Sequence, residues 1–143
     1  MSEQAATPVV PSFWVDAVEP LRDFYIEQLG FAHMMGVVGK DGNLEFAIVQ
    51  REALMVMMGR PPQPLEGSST DGGPDRLVEL YLYVTDIDGY YEELRSRNVR
   101  IAEKIQTQWW GDRNFSVKDP YGYTLWFCQT VGQPEPPAGV TMI

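Results

Sequence analysis

Apolar positions along the chain switch between two spacings, and the switches mark out the elements. A β-branched and aromatic run over residues 9–15 is the first strand candidate. Helical spacing follows, with Val18, Leu21, Phe24 or Tyr25, and Leu29 recurring through LRDFYIEQLG. Asp16 stands where an N-cap belongs and Glu19 follows three residues later, which reads as a capping box. Pro20 sits in the first turn, where its missing N–H does little harm, and Gly30 is placed to end the helix in a left-handed conformation. Strand patterns then cover residues 31–38, 44–50 and 53–58, with GKDGN as the turn between the first two.

The order then repeats. Residues 59–76, GRPPQPLEGSSTDGGPDR, have no periodicity and read as a linker. Residues 77–84 alternate as a strand, and Thr85 or Asp86 caps a helix running to about Arg97, with Ile87, Tyr90 or Tyr91, and Leu94 as its buried stripe. Further strands are expected over residues 99–107, 114–118 and 124–129, followed by a proline-rich tail over 130–143 that is mobile or lies across a neighbour. The chain is thus βαβββ, linker, βαβββ: one module over about 9–58 and a second over about 77–129. Matching Asp16 with Asp86 sets the repeat shift at 86 − 16 = 70.

Composition narrows the setting. The 143 residues are 44% hydrophobic and 22% charged, as in an ordinary globular domain. No apolar run approaches the length of a membrane span, and MSEQAATPVV has neither the basic nor the apolar region of a secretory signal, so a cytoplasmic location is expected. The single cysteine, Cys128, reads as a buried reduced thiol. Twenty acidic residues against 11 basic ones give a net charge of −9, which disfavours nucleic acid and favours a cationic over an anionic small ligand.

DFYIEQLGF in the first half and DPYGYTLWF in the second are similar to motifs of the vicinal oxygen chelate superfamily, which includes glyoxalase I, extradiol dioxygenases and the fosfomycin- and bleomycin-resistance proteins. The stretch W-G-x-R-x-F-x3-DP-x-G, Trp110 to Gly122, most resembles the bleomycin-resistance branch. The resemblance spans about residues 9–129. It implies an α+β fold of two βαβββ modules, each curling an open mixed sheet into a cup with its helix outside, and assembly as a homodimer.

Metalloenzymes of that superfamily carry ligands on the first and last strands of each module. By resemblance and the shift of 70, these positions fall on Val9, Val56, Glu79 and Trp126. Only Glu79 can bind a metal, since two positions are aliphatic and an indole nitrogen only donates. His33, the lone histidine, lies outside the set. The expectation is no metal and no cofactor. Strand alternation then places Phe13, Tyr81, Tyr83 and Trp126 around the Glu79 carboxylate, with Thr124 and Cys128 on the same face and Leu125 and Phe127 under the helix. Trp109 is favoured over Trp110 for the ligand, because adjacent strand residues cannot share a face. Arg113 is a candidate for stacking on an aromatic or pairing with a carboxylate.

Aromatic walls with one fixed carboxylate describe a site for a flat or cationic small molecule, held without chemistry. Three other readings stay open. One is a metal-free lyase or isomerase with Glu79 as general base and Tyr81 or Tyr83 as acid. Another is a metalloenzyme using Glu79 and His33 with donors from a second chain. The last is a cup merely packed shut, with Arg51 or Arg113 neutralising Glu79.

Overall fold

The computed structural model describes residues 9–63 and 78–143. They divide into two compact units: residues 9–63 with 120–122, and residues 78–119 with 123–143. The expected linker lies outside the described residues from position 64 onward, and so do residues 1–8 and Leu77. Among the described residues no helix is long and apolar enough to cross a membrane.

In the first unit, β1 (Ser12–Trp14) leads into α1 (Val18–Asp23), which continues as a wider π-helical stretch over Phe24–Gln28. The strands β2 (Ala32–Val38), β3 (Leu44–Arg51) and β4 (Leu54–Gly59) follow, in the order β1-β4-β3-β2. The β1–β4 pair is parallel and the others antiparallel. Helix α1 packs on β3 and β4, burying Val18, Leu21, Phe24, Tyr25 and Leu29 as the helical spacing requires. Gly30, at φ +76°, ends the helix by letting Phe31 N–H reach back to Tyr25 O at 2.9 Å.

The second unit repeats the path with β5 (Glu79–Tyr83), α2 (Ile87–Ser96), β6 (Glu103–Thr107), β7 (Asp112–Lys118) and β8 (Thr124–Thr130), in the order β5-β8-β7-β6. Asp86 caps α2, its Oδ1 accepting from Gly89 N–H at 3.0 Å. Ile87, Tyr90 and Leu94 form the buried stripe, and Tyr90 meets Phe127 edge-to-face with ring centroids 4.9 Å apart. The DPYG turn joining β7 and β8 has a direct cause. Asp119 Oδ1 accepts from Tyr123 N–H at 2.9 Å, and Gly122 supplies the positive φ of +85°.

Two sequence expectations change here. Asp16 does not cap α1. Ala17 occupies that position without a side-chain cap, while Glu19 accepts from Leu44 N–H at 2.8 Å and Asp16 accepts from Tyr121 OH at 2.7 Å. The true N-cap pair is therefore Ala17 and Asp86, a shift of 86 − 17 = 69. The ladders agree: Val15 N–H bonds Gly59 O and Val84 N–H bonds Cys128 O, each at 2.9 Å, with 84 − 15 and 128 − 59 both 69. A one-residue slip carries a strand's side chains to its other face, so the shift decides what the first unit presents on each side of its sheet.

Candidate functional site

The face of the second sheet turned away from α2 is set by register. Tyr81 pairs with Trp126, Trp126 with Ser116, Tyr83 with Cys128 and Cys128 with Asn114, which places these side chains on one side. Leu82, Phe115 and Phe127 take the other side under the helix. The expected grouping of Glu79, Tyr81, Tyr83 and Trp126 on one face is what the strands produce. Trp126 Nε1–H donates to Glu79 Oε1 at 3.1 Å, and the Tyr81 and Trp126 rings lie 6.0 Å apart at a 35° tilt. Tyr81 and Tyr83 remain 46% and 50% exposed, so this is an open aromatic surface with a tethered carboxylate at its edge.

A second carboxylate stands behind it. Asp112, nearly buried, accepts from Tyr83 OH at 2.7 Å and from Thr130 Oγ1 at 2.9 Å. The short bond to Asp112, with some burial, pushes the Tyr83 phenol up to about 12. Burial raises the Tyr81 phenol, and burial with the nearby Asp112 charge raises the Cys128 thiol to about 12. All three groups are therefore protonated at neutral pH and act as hydrogen-bond donors or apolar surface, not as nucleophiles. Ser116 is fully buried opposite Trp126, its Oγ without a hydrogen-bond partner. Asp112 was missed in the sequence, yet β7 reads D-R-N-F-S-V-K, with polar residues at every second position.

Three expected site residues lie elsewhere. Phe13 is only 8% exposed and pairs with Met58, which pairs with Ala47; all three belong to the buried side of the first sheet. The slip from 70 to 69 is the reason. Arg113 shares the helix side with Phe115, where its Nε donates to Asp88 Oδ1 at 2.9 Å and its Nη1 to Thr107 Oγ1 at 3.1 Å. Arg51 turns its Nη1 to Gly30 O, and the Glu79 carboxylate takes its hydrogen bond from Trp126. Trp109 is in no strand. It and Trp110 form the tight turn between β6 and β7, closed by Gly111 N–H to Gln108 O at 3.1 Å, with the two indoles edge-to-face at 5.6 Å. Strand alternation consequently does not apply to that pair. The tail lies against its own unit: Val131 and Gly132 N–H bond Gly111 O, and Glu135 N–H bonds Trp109 O.

In the first unit the face away from α1 carries Trp14, Gly59, Phe46 and Val37, which are ladder partners in sequence. Trp14, 58% exposed, stands where the shift of 69 puts Tyr83 in the other unit. A hollow of about 740 Å³ opens here, lined by these residues with Asp16, Glu45, Arg60, Pro61 and Pro62. Trp14-Val15 over Tyr83-Val84 was the signal that would have found it, as an aromatic–valine pair at the correct shift.

The metal-ligand positions, moved to this register, become Val10, Met57, Glu79 and Trp126. Val10 and Met57 of the first unit and Trp126 of the second offer no oxygen or nitrogen donor, which leaves Glu79 as the one residue of the four able to bind a hard or borderline divalent ion. Among the described residues no group of three or more His, Cys, Asp or Glu side chains converges on a possible ion position.

The paired βαβββ topology has many counterparts. Structures similar in fold include TioX from Micromonospora sp. ML1, with TM-score 0.68 and 20% identity over 86% of this chain and 98% of that one. Another is a bleomycin resistance determinant encoded on the transposon Tn5, with TM-score 0.65 and 22% identity over 90% and 98%. In sequence, an uncharacterized protein of Mycobacterium bovis, Mb0911c, is 30% identical over 129 residues, covering 87% of this chain and 81% of that protein. Residues 8–127 match the profile of the Glyoxalase/Bleomycin resistance protein/Dioxygenase superfamily. With the topology, the DPYG turn and that match in agreement, the chain belongs to this superfamily.

Proposed function

We propose that this protein binds a small aromatic or cationic molecule on the aromatic–carboxylate face of its second unit, without a metal, and holds it rather than transforming it. The observation that carries this reading is the Trp126–Glu79 hydrogen bond beside Tyr81, which fixes an electron-rich ring and a negative charge on one open surface. Such a pair attracts a cation through the ring face and the carboxylate together. Asp112 behind Tyr83 adds a second negative charge, and the net charge of −9 steers cations toward the molecule. The bleomycin resistance determinant with a similar fold makes bleomycin a rational first probe. On the family resemblance, the binding form is a cytoplasmic homodimer.

The metal-free enzyme is the weaker reading. Tyr83 already donates its proton to Asp112 and its phenol is pushed up to about 12, a poor match for acid catalysis near neutral pH.

Tryptophan fluorescence titrated with bleomycin and a panel of planar cations tests the proposal. Saturable quenching is expected, with Trp126→Ala weakening it about tenfold, the scale of one well-placed ring–cation contact. Absence of any response to the panel, or near-stoichiometric zinc, nickel or iron in the purified protein, would overturn it.

A further inference from the structure

We infer that the Asp41–Gly42 peptide, at the tip of the hairpin between β2 and β3, is a site of succinimide formation and isoaspartate modification, and that Arg60 is the residue that holds it in check. This is independent of the ligand face of the second unit. The chain has three Asp-Gly dipeptides, at 41–42, 71–72 and 88–89. In such a pair the glycine leaves its own amide nitrogen unshielded by a side chain. The pair at 71–72 lies outside the described residues. Asp88 and Gly89 are in the first turn of α2, where every Cα–Cβ bond tilts toward the helix N-terminus. That tilt draws the Asp88 carboxyl away from the nitrogen that follows it, and Arg113 Nε holds it there at 2.9 Å. Asp41 is placed differently. Its Oδ1 accepts from Asn43 N–H at 3.0 Å and its Oδ2 from Asn43 Nδ2 at 3.3 Å, so the carboxyl is folded forward over the Gly42 peptide. Gly42 has φ +84°, and nothing beyond its chain neighbours lies within 4 Å of where a Cβ would stand, which leaves room for a new ring.

Ring closure requires Gly42 N to lose its proton and bond Asp41 Cγ while one carboxyl oxygen departs as water. Water departs easily from the neutral acid and poorly from the carboxylate. Addition of water then opens the succinimide at one of its two carbonyls. Attack at Cγ returns aspartate; attack at the main-chain carbonyl leaves isoaspartate, with the backbone running through Cγ. One water is lost and one regained, and nothing is oxidised or reduced. Two features oppose the first step. Gly42 N–H is already donated to Gly39 O at 3.0 Å. Arg60, set just past β4 by its own N–H bond to Glu45 O at 2.9 Å, donates Nη1 to Asp41 Oδ2 at 2.9 Å and Nη2 to Oδ1 at 3.3 Å. These bonds are the main reason the Asp41 carboxyl is held down from 3.8 to about 2. At mildly acid pH the neutral fraction falls roughly tenfold or more in consequence. The same two-pronged contact must break before Cγ can turn toward the nitrogen. Arg60 reaches the turn from 19 positions away, so the restraint belongs to the folded sheet and not to the hairpin sequence.

The test ages the full chain at about pH 5 and measures isoaspartate by enzymatic carboxyl methylation, with peptide mapping to separate residue 41 from residues 71 and 88. Arg60→Met should make isoaspartate accumulate at residue 41 about tenfold faster than in the parent, the scale of the neutral acid regained. Residue 88, whose partner is Arg113, should keep its parental rate. Arg60→Lys keeps the charge and loses the planar fork, so its rate at residue 41 should fall between the two. Circular dichroism and a thermal melt check that both variants are folded. A rate at residue 41 within twofold of the parent in Arg60→Met would overturn the inference, as would isoaspartate forming at residue 88 in preference to residue 41.

Discussion

The two units share a chain path and a helix-facing core, and they differ on the other side of the sheet. Val15 and Val84, Val18 and Ile87, Leu21 and Tyr90, and Tyr25 and Leu94 are related by the shift of 69, and every one of them is buried. On the opposite face the same shift sets Ser12 against Tyr81, Trp14 against Tyr83, Met57 against Trp126 and Gly59 against Cys128. In the second unit this face is knit by side-chain hydrogen bonds to Glu79 and Asp112; in the first it is apolar and opens into a hollow. Dense packing under a helix penalises every added or missing methylene, which keeps the buried members of the repeat alike in kind. The other face is not packed under a helix, and there the copies have diverged.

The largest effects expected test which side of the first sheet is core. Met58 is fully buried on the Phe13–Ala47 side, whereas Met57 lies on the face away from α1 and is only half-buried. Met58→Ala should cost about 3 kcal/mol, and its counterpart Phe127→Ala about 4 kcal/mol, as large-to-small changes in a closed core do. Met57→Ala should cost roughly 1 kcal/mol or less, since it loses only part of a side chain's burial. Urea denaturation measures all three. A larger loss at Met57 than at Met58 would restore the shift of 70 and return Phe13 to the face turned away from α1.

That one-residue difference also marks how much the sequence disclosed. Both helices, the βαβββ succession of elements and the Tyr81–Tyr83–Trp126 face were legible, because period-2 and period-3.6 patterns are strong where one side of an element is buried. The side assigned to Phe13 was not, because it rested on Asp16 matching Asp86. Asp16 in fact accepts from Tyr121, a contact 105 positions away that no local pattern encodes. Arg113 does pair with a carboxylate, but that carboxylate is Asp88 of the helix, and an arginine beside aromatics looks the same in sequence whichever face it takes. Trp109 and Trp110 read as strand residues because aromatic side chains favour strands, yet the left-handed Gly111, at φ +100°, turns the chain there.

Hairpin glycines give the next contrast. Gly42, between β2 and β3, has φ +84° with nothing within 4 Å of where an added methyl group would sit, so Gly42→Ala should cost only the backbone term, about 1 kcal/mol. Gly111, in the equivalent hairpin between β6 and β7, has φ +100°, and an added Cβ would collide with Gly132 O. Gly111→Ala should therefore cost about 3 kcal/mol, strain plus a displaced tail, read as a thermal shift several times that of Gly42→Ala. Equal shifts would mean that the tail contacts of Val131, Gly132 and Glu135 contribute nothing to that turn.

The smallest effect separates the two faces by ionisation. Trp14 cannot titrate, but its counterpart Tyr83 is raised from 10.0 to about 12, first by its hydrogen bond to Asp112 and then by burial. A phenol whose folded value exceeds its unfolded one contributes stability fully below pH 10, and that contribution is lost as the pH rises through about 12. Half-exposure of Tyr83 keeps the energy small, so spectra are the better readout than melting. Difference absorbance between the parent and Tyr83→Phe, followed from pH 9 to 13, isolates this phenol from the other tyrosines. In the Asp112→Asn background the carboxylate charge is gone and the acceptor is neutral, so the Tyr83 transition should move down toward 10. If that transition stays where it is in the parent, Asp112 is not what holds the Tyr83 proton, and the polar network that distinguishes the second unit from the first loses its anchor.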